Sequence, residues 1–224
     1  MEKYGVFDII GPVMVGPSSS HTAGAARIGY IARMIAGQQP THVVFRLHGS
    51  FARTYAGHGT DRALLAGVMG MAPDDERIRD AFRLAQEASI AYSFVPDDLG
   101  EVHPNTVSVC MTLPDGTVQE IMGSSIGGGK ITITQINGMS VEFDGEYTTV
   151  ITSHRDKPGV ISGISSVLSS HQVNIAFMKV FRDHRGEMAH LILETDEDIA
   201  IETLDELKHV SNVLDVRCIK RIQI

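Results

Sequence analysis

The chain has 224 residues, 43% hydrophobic and 21% charged, with a formal net charge of −8. That length suits one large or two small domains with a real core, and the composition is that of an ordinary soluble globular protein. The acidic balance with no Lys/Arg-rich run argues against a general nucleic-acid binder, and no apolar stretch is long enough to span a bilayer.

In chain order, Met1-Glu2-Lys3-Tyr4 leads into no signal-peptide core, so a cytoplasmic protein is expected. Gly16-Pro17-Ser18-Ser19-Ser20-His21-Thr22 then puts four hydroxyls and an imidazole within five residues. It stands directly before the small-residue run 23–36, which reads as a helix stopped at Gly37. Ser and Thr cap helices, and free N–H groups at a helix start attract anions. The turn is therefore a candidate carboxylate holder, with His21 as proton carrier. Residues 43–47 read as a short strand. After His48-Gly49-Ser50, the apolar runs 51–56 and 63–69 flank His58-Gly59-Thr60-Asp61, which repeats the theme of histidine plus hydroxyl. Asp61 is placed either to orient an imidazole or to cap the helix that follows. Residues 74–91 carry apolar Ile78, Ala81, Phe82, Ala85 and Ala88 at three- and four-residue steps, which predicts one long amphipathic helix.

His103-Pro104-Asn105-Thr106 is a polar turn just ahead of a strand. Residues 106–113 and 117–122 flank Pro114-Asp115-Gly116, and residues 131–136 and 139–143 flank Asn137-Gly138, so each pair is expected to form a hairpin. Between them, Ser124-Ser125-Ile126-Gly127-Gly128-Gly129-Lys130 has the look of a phosphate loop but fails its spacing. Gly123 comes one residue too early, and Ile131 stands where Ser or Thr must follow the lysine. A flexible hinge or substrate-facing loop is expected there.

A polar break at Phe143-Asp144-Gly145-Glu146 sets the domain boundary, giving residues 1–145 and 146–224. Beyond it, strand signals at 147–153, 173–181, 188–194 and 213–222 alternate with helical runs at 160–170 and 199–209. The order βαββαβ predicts a ferredoxin-like sheet with both helices on one face, and the whole chain is α+β. Asp156-Lys157-Pro158-Gly159 joins its first strand to its first helix, where free N–H groups and Gly159 allow a ligand to approach.

The two cysteines, Cys110 and Cys218, have no metal-ligand spacing, and an iron–sulfur cluster needs more thiolates than this chain offers. Any cluster must be held mainly by another polypeptide. Paired-carboxylate, zinc-hydrolase and dinucleotide-binding patterns are absent.

Taken in order, the motifs at 16–22, 58–61 and 103–106 resemble the β chain of bacterial iron–sulfur L-serine dehydratase, over essentially the whole chain. The 156–159 turn with its βαββαβ pattern resembles an ACT domain, a small-molecule regulatory module. The resemblance implies an N-terminal substrate-binding and catalytic domain, and an α chain as partner that carries a 4Fe-4S cluster. It implies deamination of L-serine to pyruvate and ammonia, the cluster acting as Lewis acid on the substrate hydroxyl. By position in the matched motifs, His21 and His58 are the candidate proton carriers, with the choice of base open between them. Ser18, Ser19, Ser20, Thr22, Thr60, Asp61 and Asn105 are implied to bind or orient the substrate carboxylate and amine. Asp156 and Gly159 mark a regulatory site for a small effector or ion, and self-association through the ACT part is expected. The N-terminal part also resembles the serine-binding regulatory domain of some phosphoglycerate dehydrogenases, which leaves a non-catalytic serine sensor as the rival reading.

Overall fold

The computed structural model describes residues 14–182 and 184–221. The chain divides between Asp144 and Gly145 into two units. In the first, a single π-helical turn, Ser19–Ala23, runs directly into α1 (Gly24–Ala36), which ends at Gly37 in the left-handed region with φ 75°. There follow β1 (His42–Leu47), α2 (Gly49–His58), α3 (Thr60–Val68), a 3₁₀ turn (Glu76–Asp80) and α4 (Ala81–Glu87). The strands β2 (Ala91–Pro96), β3 (Thr106–Thr112), β4 (Val118–Gly127), β5 (Lys130–Ile136) and β6 (Met139–Phe143) complete the unit.

These strands form one sheet in the order β2-β1-β3-β4-β5-β6. β1 and β2 run parallel because the helices between them carry the chain back across the sheet, and the remaining pairs are antiparallel. Side chains alternate along a strand, so Val43, Phe45 and Leu47 share a face with Val107, Val109 and Met111 of the neighbouring strand, all fully buried. Gly123 on β4 lies opposite Val107, and a Cβ there would stand 3.1 Å from Ile28 Cγ2, which places α1 over this face. α1 and α3 cross at two glycines. A Cβ on Gly29 would lie 2.5 Å from the Leu64 carbonyl oxygen, and one on Gly67 would lie 2.3 Å from that of Ala26. Only bare backbone lets the helices approach so closely.

The long helix expected over 74–91 is not formed. Asp75 accepts the Arg77 N–H at 2.9 Å and caps the 3₁₀ turn, Asp80 leaves helical geometry at φ −102°, and Ser89 has a positive φ of 55°. The Asp75 side chain gives the backbone a local alternative to an α-helical start. Residues 91–96 instead become β2, stacking Phe94 on Phe45 with ring centroids 4.9 Å apart. Both predicted hairpins form, and β4 extends beyond its expected end to Gly127.

The second unit contains β7 (Thr148–Arg155), α5 (Val160–Ser170), β8 (Ile175–Arg182), β9 (Met188–Thr195), α6 (Ile201–Lys208) and β10 (Val213–Ile219). Its antiparallel sheet has the order β10-β7-β9-β8, which is the ferredoxin-like arrangement read from the sequence. Val150, Leu191 and Leu193 pack with Val160, Ile164, Leu168 and Leu207 of the two helices in its core. Among the described residues, no helix is long and apolar enough to cross a membrane.

Candidate active site

Motifs that are far apart in sequence meet around the Ser19–Ala23 turn. Its π register is closed by the Gly24 N–H donating to the Ser19 carbonyl. Such turns are rare and occur often at functional positions. Ser18 caps the turn in extended conformation: its hydroxyl oxygen accepts the His21 N–H at 3.1 Å, and its carbonyl accepts the Thr22 N–H at 2.8 Å. The cap fixes the backbone of His21, whose side chain reaches across to α2. There its Nε2 shares a 3.2 Å hydrogen bond with Ser50 Oγ. The ring stands edge-on to Phe51 at 5.3 Å between centroids and lies 5.1 Å from the ring of His58. Thr22 donates its hydroxyl to the His58 carbonyl at 3.3 Å and so ties the turn to the end of α2. Gly59, with φ 72°, separates α2 from α3 and sets His58 and Thr60 on either side of a sharp reversal.

The His103-Pro104-Asn105-Thr106 segment closes the opposite side. The Pro104 carbonyl accepts the N–H groups of Ser50 at 2.7 Å and Phe51 at 3.4 Å, satisfying donors that the start of α2 leaves free. The Asn105 carbonyl accepts the Ser125 N–H at 2.9 Å, and Asn105 Nδ2 lies 3.5 Å from the Ser125 carbonyl. Ser125, on β4, stands against Gly24: a Cβ on that glycine would lie 2.1 Å from Ser125 Oγ. The contacts therefore close a ring from His21 through Ser50, Pro104, Asn105, Ser125 and Gly24 back to the turn that carries His21.

Burial, and after it the neighbouring charge of His58, hold the His21 imidazole below its ordinary pKa. A neutral ring is a base, so the arrangement keeps a proton acceptor ready inside a cluster of donors. Burial pushes the Asp61 carboxyl up, and the Arg62 N–H, donating to it at 2.8 Å, only partly offsets the effect. Asp61 thus turns toward its own helix start and not toward either imidazole. His58 is exposed, its Nδ1 3.4 Å from the Thr54 carbonyl.

Of the other residues read from the sequence, Ser18 serves as the cap. Ser19 and Ser20 lie half-buried on the turn, their hydroxyls unbonded among the described residues. Thr60 is fully buried, and its hydroxyl likewise has no partner there; the same is true of Asn105 Oδ1. The stretch Ser124 to Lys130, expected as a flexible hinge or substrate-facing loop, is strand and tight turn. Ser124 and Ser125 belong to β4, and Gly128-Gly129, with φ 60° and 81°, make a two-residue turn into β5. The buried Arg27 of α1 donates to the Gly129 carbonyl at 2.9 Å and anchors that turn. The sequence shows Ser50 only as part of a repeated theme and Ser125 only as part of an expected hinge or substrate-facing loop, and it gives Arg27 no role. Their signal is tertiary, since each acts across the space between a helix and the sheet.

Among the described residues, no three His, Cys, Asp or Glu side chains gather to hold a metal ion. Cys110 lies on β3 and Cys218 on β10, and burial pushes both thiols up, away from the thiolate that binds metal. The donors of this chain do not fit the ligand set of an iron–sulfur cluster. In the second unit, Gly159 caps α5 with φ 93° and no heavy atom within 4 Å of an added Cβ. The Asp156 carboxylate is already engaged, by the Gly186 N–H at 3.0 Å and by Arg182 at 2.7 Å, which together hold its pKa low.

The family described as Serine dehydratase beta chain matches residues 5–136, and the ACT domain family matches residues 148–211. The probable L-serine dehydratase, beta chain, of Bacillus subtilis (strain 168) is 43% identical over 216 residues, covering 96% of this chain and 98% of that protein. The chain belongs to the serine dehydratase beta chain family. A second member of this family, the L-serine dehydratase, beta chain, of Peptoniphilus asaccharolyticus, is 44% identical over 200 residues, or 89% of this chain and 90% of that one. The D-3-phosphoglycerate dehydrogenase of Bacillus subtilis (strain 168) is 26% identical over 196 residues, covering 87% of this chain and 37% of that protein. The segment matched by the serine dehydratase beta chain family contains every residue of the ring around His21.

Proposed function

We propose that this chain is the β subunit of a cytoplasmic L-serine dehydratase and, with an α subunit, converts L-serine to pyruvate and ammonia. Identities of 43% and 44% to two β chains over most of their lengths support the reading. The observation that carries the site is the His21 imidazole, disposed to be neutral, bonded to Ser50 and set beside His58 within a ring of hydroxyl and amide groups.

The reaction removes the Cα proton and the β-hydroxyl of L-serine as water. The resulting enamine tautomerises to an imine, and water then releases ammonia and pyruvate. In this reading His21 takes the Cα proton on its ring and His58 is the second proton carrier. The substrate carboxylate meets the N–H groups and hydroxyls of Ser19 and Ser20, and Asn105 Oδ1 accepts from the ammonium group. The 4Fe-4S cluster belongs to the α subunit in this assignment, because the donor set of the β chain does not fit it. The ACT unit takes a small effector or ion beside Gly159. Its edge strand β8, with Phe177, Met178 and Val180 exposed, supports self-association.

His21→Ala and His58→Ala, each co-purified with the α subunit, test the assignment through pyruvate formation. Each is expected to lose turnover by about 10²–10⁴-fold, the usual contribution of general acid–base catalysis. Near-normal turnover in both, with unchanged cluster content, would return the histidines to a structural role. The match to D-3-phosphoglycerate dehydrogenase favours the second reading, a non-catalytic serine sensor, which predicts L-serine binding and no pyruvate from the wild-type pair.

A further inference from the structure

Ser124 and Ser125 are adjacent on β4 and both are buried, yet their hydroxyls differ. Ser124 Oγ shares a 2.7 Å hydrogen bond with Thr106 Oγ1, whereas Ser125 Oγ, fully shielded from solvent, has no hydrogen-bond partner among the described residues. A buried hydroxyl without a partner costs its desolvation with nothing to offset it. Its surroundings point to where a partner would come from. Ser125 Oγ lies 2.1 Å, and the Ser19 carbonyl oxygen 3.6 Å, from the position that a Cβ on Gly24 would take. The absence of a side chain at Gly24 is what lets the hydroxyl stand under the first turn. The Ser19 carbonyl accepts the Gly24 N–H that closes the π register, and a carbonyl oxygen has a second lone pair to offer.

We propose that Ser125 is a positioning residue of the substrate site: its hydroxyl donates to the Ser19 carbonyl when the Ser18–Thr22 turn closes on the bound amino acid. The inference rests on the proposed placement of the substrate at that turn. In the unliganded chain the hydroxyl is held in reserve. Ligand contacts to Ser19, Ser20 and His21 swing the Ser19 carbonyl toward Ser125 Oγ, and the new hydrogen bond favours the closed form. Ser125 thereby acts on affinity through the turn and touches neither the reacting atoms nor the imidazoles.

The test compares Ser125→Ala with Ser124→Ala in the full chain, alone and co-purified with the α subunit. Ser125→Ala removes no bond of the unliganded state, so its thermal midpoint without ligand should equal or exceed that of the wild type. Its KM for L-serine should rise about tenfold, the equivalent of one net hydrogen bond, with kcat within about threefold. The stabilisation of the chain by added L-serine should shrink in parallel. Ser124→Ala should behave in the opposite way, with a lower thermal midpoint and a KM within about threefold of the wild type. Gly24→Ala, which drives a Cβ into Ser125 Oγ, should raise KM as Ser125→Ala does. An unchanged KM and an unchanged L-serine shift in Ser125→Ala would overturn the proposal, as would a loss of unliganded stability matching that of Ser124→Ala. If the wild-type pair forms no pyruvate, the dehydratase reading fails, and calorimetric binding of L-serine to the full chain still reads Ser125. If the wild-type chain binds no L-serine either alone or in the pair, both fall.

Discussion

His21 stands at the point where the chemistry and the architecture meet. Its backbone is pinned by the Ser18 cap, its Nε2 by Ser50, and its ring lies against Phe51 and His58. The lowered pKa follows mainly from burial and secondarily from the His58 charge. In the folded chain the ring therefore titrates below the ordinary histidine value of about 6.5. The contribution of His21 to stability is present above that value and is lost as pH falls toward the folded pKa, because the unfolded chain then binds the proton more tightly. NMR titration of the imidazoles should place His21 below about 6.5, and His58→Gln should move it upward while burial keeps it below the free value. A His21 that titrates at or above the ordinary value in the wild type would remove the argument for it as a ready base. At this scale the sequence was informative: Ser18-Ser19-Ser20-His21-Thr22 displays its cap and its imidazole directly. It placed Ser125 in an expected hinge or substrate-facing loop and gave no sign that its hydroxyl is buried without a partner, because that burial comes from the packing of Gly24 against β4.

The elements hold the site by close approach. α1 and α3 touch backbone to backbone at Gly29 and Gly67, which sets the start of α3, with Thr60 and Asp61, beside the turn that begins α1. Gly67→Ala puts a Cβ 2.3 Å from the Ala26 carbonyl oxygen, against rigid helix backbone. Denaturant unfolding should find it destabilised by about 1–3 kcal/mol, the typical cost of overpacking. Gly57→Ala in α2, where an added Cβ meets no heavy atom within 4 Å, should be neutral or stabilising by up to about 1 kcal/mol. Equal effects from the two substitutions would count against the crossing as described. The periodic helices and the hairpins with Asp-Gly and Asn-Gly turns were legible because local chemistry and tertiary structure agree there. Residues 74–91 were legible only in part, as the helix over Ala81–Glu87. Their apolar spacing imitates a helix, while the Asp75 side chain reorganises the start and parallel pairing with β1 claims the end as β2. Parallel pairing leaves no turn signature in the sequence, so only the fold reveals it.

At the scale of the whole molecule, the two units carry different kinds of order. The first gathers histidines, hydroxyls and backbone donors around one turn, and the second is a ferredoxin-like module with an apolar edge strand. The division was visible in the sequence as a change of pattern at a short polar break, because each unit closes its own core with neighbouring segments. In the proposed function the turn in the first unit holds the substrate and the histidines around it carry protons, and among the described residues no three His, Cys, Asp or Glu side chains gather to hold a metal ion. In that proposed function this chain is one of two subunits that are active only together. The most direct test is pyruvate formation from L-serine by this chain alone, by the α subunit alone, and by the two co-purified without oxygen. Turnover should arise only in the pair and fall by about 10²–10⁴-fold when the pair carries His21→Ala. Full turnover and a complete cluster in the lone chain, or a pair whose rate is indifferent to His21, would contradict it.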